Sequence, residues 1–147
     1  MSIHYILILN RQGKTRLNKW FNKNQTRSEQ LKSIGEIHRI VSSRDSKYQS
    51  NFIEYQQTKL VYRRYAGLYF IMAIDLNDSE LSYLESLHFF VEVLDTYFDN
   101  VIELDLVFNF SKIYNIVDEI FLGGEINEIS KSRVLSRLTY LDSLDVN

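Results

Sequence analysis

The sequence predicts an α+β domain in which helices pack on the faces of a five-stranded antiparallel sheet. Three observations predict this architecture. Strand-like and helix-like segments follow one another in the order strands, helix, strands, helices. The connections between the strands are too short for parallel crossovers. The length of 147 residues, 45% of them hydrophobic, matches one domain with one sizeable core. We therefore expect residues 1–147 to form a single domain.

A β-hairpin is predicted at the start of the chain. Residues 3–9 are almost wholly apolar, which favours a strand that is buried on both faces. Residues 10–14 form a tight turn in which Gly13 can adopt a positive φ, and residues 15–21 return as the second strand. Alternation divides this strand into two faces, with Leu17 and Phe21 on one face and Arg16, Asn18 and Trp20 on the other.

The next element is a helix. It follows a polar loop at residues 22–27, and Ser28, with a carboxylate soon after it, is its expected start. Apolar residues recur at helical spacing up to its end, and these are Leu31, Ile34, Ile37 or His38, and Val41. Gly35 weakens this helix by about 1 kcal/mol relative to Ala.

Three β-rich segments then follow, joined by minimal turns. They cover residues 51–56, 59–65 and 67–75. The last of them is the most apolar, so it is expected to lie at the centre of the sheet. Together with the hairpin they make five antiparallel strands.

The rest of the chain is predicted to be helical. Ser79 is the expected N-cap of a helix with an apolar face. That face consists of Leu81, Leu84, Leu87 or His88, Val91, Leu94 and Phe98. A further helix is expected over residues 105–122, ended by Gly123 and Gly124, and a last one over residues 130–144.

Charge is distributed unevenly along the sequence. Residues 1–28 contain six basic residues and no acidic one, whereas residues 65–111 contain nine acidic residues and no Lys or Arg. Either one surface attracts anions while another meets a basic partner, or the two halves neutralise each other across the fold. A nucleic-acid-binding domain is disfavoured, because the isoelectric point is about 5.9 and the acidic stretch repels phosphates.

The sequence contains little that indicates catalysis. It has no cysteine, no His pair at metal-binding spacing and no phosphate-binding loop. The carboxylates Asp95, Asp99, Glu103 and Asp105 are the candidates for an acid–base pair. Asp95 and Asp99 share one helix face, but that face is the polar one, so we interpret them as a solvated helix surface rather than an acid–base pair. No metal site and no cofactor are expected. A binding or assembly module is therefore favoured over an enzyme, and the 14% aromatic content is typical of interfaces as well as of packed cores.

Four longer strings carry a family resemblance. NRQGKTRL (10–17), YRRYAGLYF (62–70), FVEVLD (90–95) and ELDLVFNF (103–110) resemble the sigma, or small, subunits of heterotetrameric clathrin adaptor complexes. The resemblance covers essentially the whole chain. Within the family, residues 62–67 and the short C-terminus are most similar to the small subunit of the plasma-membrane adaptor. Departures from the family pattern are the basic, polar loop at residues 22–30 and Gly35 in the first helix.

The resemblance implies a fold, a set of partners and a location. The implied fold is longin-like, or SNARE-like, with extra C-terminal helices, which agrees with the order of elements above. The implied role is non-catalytic: a permanent place in a tetramer with two large adaptin chains and a medium chain, and recognition of acidic dileucine signals on membrane cargo. Clathrin and the phosphoinositide membrane are expected as indirect partners. The implied location is the cytoplasmic face of the plasma membrane, in clathrin-coated pits, as a peripheral protein.

The resemblance also implies a binding site for cargo peptides. Its residues would be Arg16, Ala66, Leu68, Val91, Asn100, Val101 and Leu106. Ala66 and Leu68 are expected on a central strand and Val91 on the helix packed against it, so a small-walled apolar groove can form between them. Arg16 would meet the acidic residue upstream of the two leucines.

Two alternatives to this site remain open. Taken alone, Val91, Val101 and Leu106 are equally typical of an ordinary core, because apolar residues at helical spacing usually face inward. If these residues are only core, the alternative function is that of a purely structural small subunit, which belongs to a trans-Golgi or endosomal adaptor or to a related vesicle coat.

Overall fold

The structure is a computed structural model that describes residues 3–21, 24–44 and 51–121, together with Ser136, Thr139 and Tyr140. Most of the predicted last helix, and the Gly123 and Gly124 predicted to end the helix before it, lie outside the described residues. None of the described helices has the length and apolar composition that crossing a bilayer requires.

Five strands form one antiparallel sheet, as the sequence predicts. They are β1 (Ile3–Asn10), β2 (Thr15–Trp20), β3 (Phe52–Tyr55), β4 (Thr58–Tyr65) and β5 (Leu68–Asp75). Their order across the sheet is β2-β1-β5-β4-β3, and every neighbouring pair is antiparallel. The central position of β5 is confirmed: its residues from Leu68 to Ile74 are buried, because helices cover both faces of the sheet there.

Each face of the sheet has its own hydrophobic core. Helix α1 (Arg27–Ser43) covers one face through Ile34, Ile37 and Val41. The opposite face is covered by α2 (Glu80–Tyr97), α3 (Glu103–Phe108) and α4 (Phe110–Ile120). The second core is the larger, and it contains most of the residues that the sequence singles out for cargo binding.

The helix starts show how side chains compete to cap the backbone. Ser79 caps α2 as expected and accepts a hydrogen bond from the Ser82 amide. The predicted start of α1 at Ser28 is wrong, because Thr26 caps it and accepts from the Glu29 amide at 3.2 Å. Leu31 is 58% exposed rather than inward-facing, so the buried apolar positions of α1 begin at Ile34.

The predicted single helix over residues 105–122 is two helices. α3 starts two residues earlier than predicted, and Asn109 separates α3 from α4. The break is in the backbone of Asn109, whose φ of −128° and ψ of 32° are not helical. Its backbone N–H and its side-chain amide both donate to the carbonyl oxygen of Asp105, at 3.0 Å and 2.9 Å. Leu81, predicted on the apolar face of α2, is 63% exposed at the first turn of that helix.

Candidate functional site

The predicted site residues gather at one end of the sheet. This is the end at which β1 and β4 finish and β2 and β5 begin, as the pairing of Leu68 with both Asn10 and Tyr65 shows. Four of the seven belong to a single hydrophobic cluster, and these are Leu68, Val91, Val101 and Leu106. Each of the four is only 1–3% exposed, so the apolar groove expected from the sequence is closed in this structure.

Ala66 is not on a strand, contrary to the expectation from the sequence. It is exposed in the two-residue turn between β4 and β5, with φ of 54°, and the next residue, Gly67, has φ of 76°. A two-residue hairpin whose strands follow the right-handed twist requires positive φ at both central positions. Ala66 therefore lies at the rim of the site, above the buried Leu68.

A small cavity lies beside this turn. It has a volume of about 270 Å³ and is lined by Ala66, Leu68 and Tyr69 together with the side chains of Arg11 and Arg64. The cavity gives the rim of the site an accessible, positively charged edge.

Asn100 is the second exposed residue of the predicted site. It lies between α2 and α3 with φ of 74°, next to Asp99 with φ of 53°. Asn and Asp tolerate this left-handed region better than most residues do. The two residues reverse the chain tightly and bring Val101 back into the apolar cluster.

Asp95 holds this reversal in place. Its carboxylate accepts hydrogen bonds from the Tyr65 hydroxyl at 2.5 Å and from the Val101 amide at 3.0 Å. The hydrogen bond to Asp95 also raises the pKa of the Tyr65 phenol above its ordinary value. The prediction that Asp95 and Asp99 share a solvated helix face is wrong for Asp95, because a long-range partner on β4 engages it.

Arg16 lies at a break in the β1–β2 pairing. Leu17 pairs with Ile8, but Leu9 pairs with Thr15, so Arg16 is the extra residue of a β-bulge. Bulges redirect side chains and interrupt the strict alternation of faces. The sequence gives no signal of this bulge, and it is the feature that lets Arg16 contact α3.

The Arg16 side chain already binds a carboxylate. Its Nε donates to Oε2 of Glu103, the first residue of α3, at 2.6 Å. The same oxygen accepts from the Asn10 side-chain amide at 3.1 Å. Arg16, followed by Asn10, holds the pKa of the Glu103 carboxyl below its usual range. Sequence reasoning did not place Asn10 or Glu103 at this site, and it considered Glu103 only as an acid–base candidate, because contacts between residues so distant in the chain leave no local pattern.

The site thus combines a cation with an apolar cluster. Leu106 lies one helical turn after Glu103 on α3, so the helix that carries the partner of Arg16 also contributes to the cluster. Such an arrangement suits a ligand with one negative charge and apolar side chains. No three His, Cys, Asp or Glu residues within 3–21, 24–44 and 51–121 lie together in a way that could hold a metal ion.

Known proteins resemble this chain over nearly its full length. The AP-2 complex subunit sigma of Neurospora crassa is 61% identical, covering 97% of this chain and 99% of its own. The same subunit of Saccharomyces cerevisiae is 54% identical, covering 99% and 100%. The AP-1 complex subunit sigma-2 of Dictyostelium discoideum is 46% identical, covering 98% and 92%.

The fold is shared as well. A chain of a homology model of the full-length AP-3 complex in a stretched open conformation matches with a TM-score of 0.78 and 29% identity, covering 97% of this chain and 94% of that one. This likeness is consistent with the longin-like fold expected from the sequence. The family model described as "Clathrin adaptor complex small chain" matches residues 2–145. The chain therefore belongs to the clathrin adaptor small chain family.

Proposed function

We propose that this chain is the non-catalytic small subunit of a plasma-membrane clathrin adaptor and binds acidic dileucine signals in that complex. The adaptor type is supported by identity, which is 54–61% to four fungal AP-2 sigma subunits and 46% to an AP-1 sigma subunit. The partners are two large chains and a medium chain. The complex acts at the cytoplasmic face of the plasma membrane in coated pits, and its other chains contact clathrin and phosphoinositides.

The observation that carries the cargo proposal is the position of Arg16. Its guanidinium binds a carboxylate at the end of the sheet where Leu68, Val91, Val101 and Leu106 cluster. A peptide with an acidic residue and two leucines presents the same kinds of group. The four cluster residues are buried when no ligand is bound. The cluster therefore has to open, so that the two leucines of the peptide take the place of contacts among its own side chains.

The expected affinity is modest. Each buried leucine contributes roughly 1.5–3 kcal/mol, and a charge-assisted contact with Arg16 contributes roughly 1.5–3 kcal/mol. Ordering the flexible peptide and opening the cluster oppose binding, so the dissociation constant is on the order of micromolar. Several weak contacts on one complex supply the avidity that reversible sorting needs.

The test is the loss of one positive charge from β2. In the assembled complex, Arg16→Ser weakens binding of an acidic dileucine peptide at least tenfold, measured by isothermal titration or fluorescence anisotropy. The matched control is Lys19→Ser, which removes another cation from the same strand. Lys19 pairs with Asp118 on α4 rather than with Glu103. The control changes the affinity less than twofold. Equal affinity for the wild type and Arg16→Ser contradicts the proposed site.

A second candidate function is a purely structural subunit. The 1–3% exposure of the four apolar residues favours it, because a tightly packed core needs no ligand. In this case Arg16→Ser and Val91→Asp leave cargo binding by the complex unchanged. Replacing the two leucines of the peptide by alanines separates the candidates without disturbing the protein: binding at this site falls sharply if cargo recognition is correct.

A further inference from the structure

One carboxylate oxygen of Glu103 is held by two donors from different places in the sequence. Arg16 Nε lies 2.6 Å and Asn10 Nδ2 lies 3.1 Å from Oε2. The Glu103 side chain is 33% exposed, so it can turn to water once another group replaces it. The two donors belong to β1 and β2, which pair with each other in the sheet, whereas Glu103 belongs to a six-residue helix.

Asn10 is oriented before any ligand arrives. It is 7% exposed, and its side-chain oxygen accepts from the amides of Gln12 at 3.0 Å and Lys14 at 2.9 Å. Those two hydrogen bonds fix the turn and leave the side-chain nitrogen directed at Glu103. A preorganised donor of this kind lowers the entropic cost of binding an anion.

The neighbouring carboxylates have other hydrogen-bond partners. Asp105 accepts from the Ile102 amide at 2.9 Å, and Asp95 accepts from Tyr65 and Val101. Lys14 adds positive potential and helps to lower the pKa of Glu103. Among the described residues, Glu103 is thus the carboxylate that contacts Arg16 and Asn10.

We propose that Glu103 is an internal competitor for the acidic residue of the cargo peptide: in the free chain it occupies Arg16, and Asn10 is a second donor that the peptide carboxylate takes over from it. This proposal rests on the proposed dileucine function. The acidic residue of the peptide displaces Glu103 and accepts from the same two donors, while Glu103 rotates into solvent. Displacement of an internal carboxylate keeps affinity low and selects for a negatively charged ligand, because a neutral side chain competes poorly for two donors at once.

The test is the affinity of the assembled complex for two synthetic peptides. One carries a single glutamate upstream of a Leu-Leu pair, and the other is identical but has glutamine in place of that glutamate. Glu103→Gln removes the competing charge and keeps the shape of the side chain. We expect it to bind the acidic peptide about tenfold more tightly than the wild type does, and to improve binding of the glutamine peptide by much less.

Three further variants make the result specific. Glu85→Gln removes a negative charge from an exposed position on α2 and leaves both affinities unchanged. In the background of Arg16→Ser, Glu103→Gln has no effect on the acidic peptide, because the competitor has lost its main donor. Asn10→Asp keeps the oxygen that Gln12 and Lys14 bind but replaces the donor with a carboxylate, so the acidic peptide binds at least tenfold more weakly.

Each contrary outcome has a defined meaning. Weaker binding of the acidic peptide by Glu103→Gln shows that Glu103 positions Arg16, and unchanged binding shows that Glu103 does not compete; either result overturns the proposal. Equal improvement for both peptides shows that Glu103 latches α3 rather than competing for Arg16 and Asn10, and also overturns it. If the wild-type complex binds the acidic Leu-Leu peptide no better than an otherwise identical Ala-Ala peptide, the dileucine function itself fails. Arg16-dependent binding that Glu103→Gln does not tighten refutes the competitor alone.

Discussion

Asp95 stabilises the part of the candidate site that links α2 to α3. Its two oxygens accept from the Tyr65 hydroxyl and the Val101 amide, and its carbonyl oxygen accepts from the Asn100 amide at 2.8 Å. One residue therefore joins β4, the end of α2 and the chain reversal. Side chains that accept from buried backbone amides are costly to remove, since the amide then lacks a partner.

Replacing Asp95 is predicted to destabilise the chain. Asp95→Ala leaves the Val101 amide and the Tyr65 hydroxyl without their acceptor, so the free energy of unfolding falls by about 1–3 kcal/mol. Urea denaturation of the full chain, followed by circular dichroism, measures this loss. The control is Glu85→Ala, an exposed position on the same helix, which changes stability by less than about 0.5 kcal/mol. Equal stability of the two variants contradicts this role for Asp95.

At the scale of elements, α1 is stabilised at both ends by side chains. Thr26 and Glu29 exchange hydrogen bonds at the start. At the other end, the Arg64 guanidinium on β4 donates to the carbonyl oxygens of Val41 at 3.2 Å and Arg44 at 2.6 Å. A cation there also interacts favourably with the negative end of the helix dipole. The last turn of α1 contains no basic residue of its own, so Arg64 supplies this charge from β4.

The weak point of α1 is Gly35, and its replacement is predicted to stabilise the chain. A Cβ at this position meets no atom within 4 Å, so Gly35→Ala adds helix propensity of up to about 1 kcal/mol without a clash. Gly67→Ala is the contrasting control. Its φ of 76° is unfavourable for a residue with a Cβ, so stability falls by about 1–2 kcal/mol. Thermal unfolding of the full chain compares them, and a lower midpoint for Gly35→Ala than for the wild type contradicts the prediction.

At the scale of the whole molecule, the surface at and around α3 exposes several large apolar side chains. Five apolar side chains at and around α3 are 39–78% exposed, and these are Ile102, Leu104, Val107, Phe108 and Phe110. They lie in the stretch of residues 65–111 that has nine acidic residues and no Lys or Arg. An exposed apolar patch of this kind is typical of a surface that another chain covers.

We expect a large chain of the complex to cover this patch with apolar side chains. Phe108→Ser is therefore predicted to reduce co-purification with the large chains severalfold. It leaves the stability of the full chain almost unchanged, because Phe108 is 78% exposed. Leu81→Ser is the matched control, a 63% exposed apolar residue at the start of α2. If both variants assemble as the wild type does, the patch is not the interface.

Much of the fold follows from local sequence patterns. The five strands, the central position of β5 and the Ser79 cap are predicted correctly, because period, turn residues and caps act over a few residues. The errors also have local causes. Thr26 rather than Ser28 caps α1, and the non-helical backbone of Asn109 interrupts a helix that the apolar period alone would continue.

The candidate site was only partly predictable. The family strings contain Leu68, Val91 and Leu106, and the wider resemblance adds Val101; the structure brings these four into one cluster. They do not show that the cluster is closed, because closure depends on how α2 and α3 pack against the sheet. Nor do they show that Asp95 is engaged, since its partner Tyr65 lies 30 residues earlier.

The amino-acid sequence alone determined the class of fold, the order of its elements and the family, because each is encoded in short-range periodicity or in strings of adjacent residues. The tertiary structure decided what Arg16 does. A bulge in β2 directs Arg16 to Glu103, 87 residues away, and Asn10 reaches the same carboxylate across 93 residues. Pairings over such distances arise only when the sheet and helices have packed, since no local preference of the chain distinguishes one carboxylate from another.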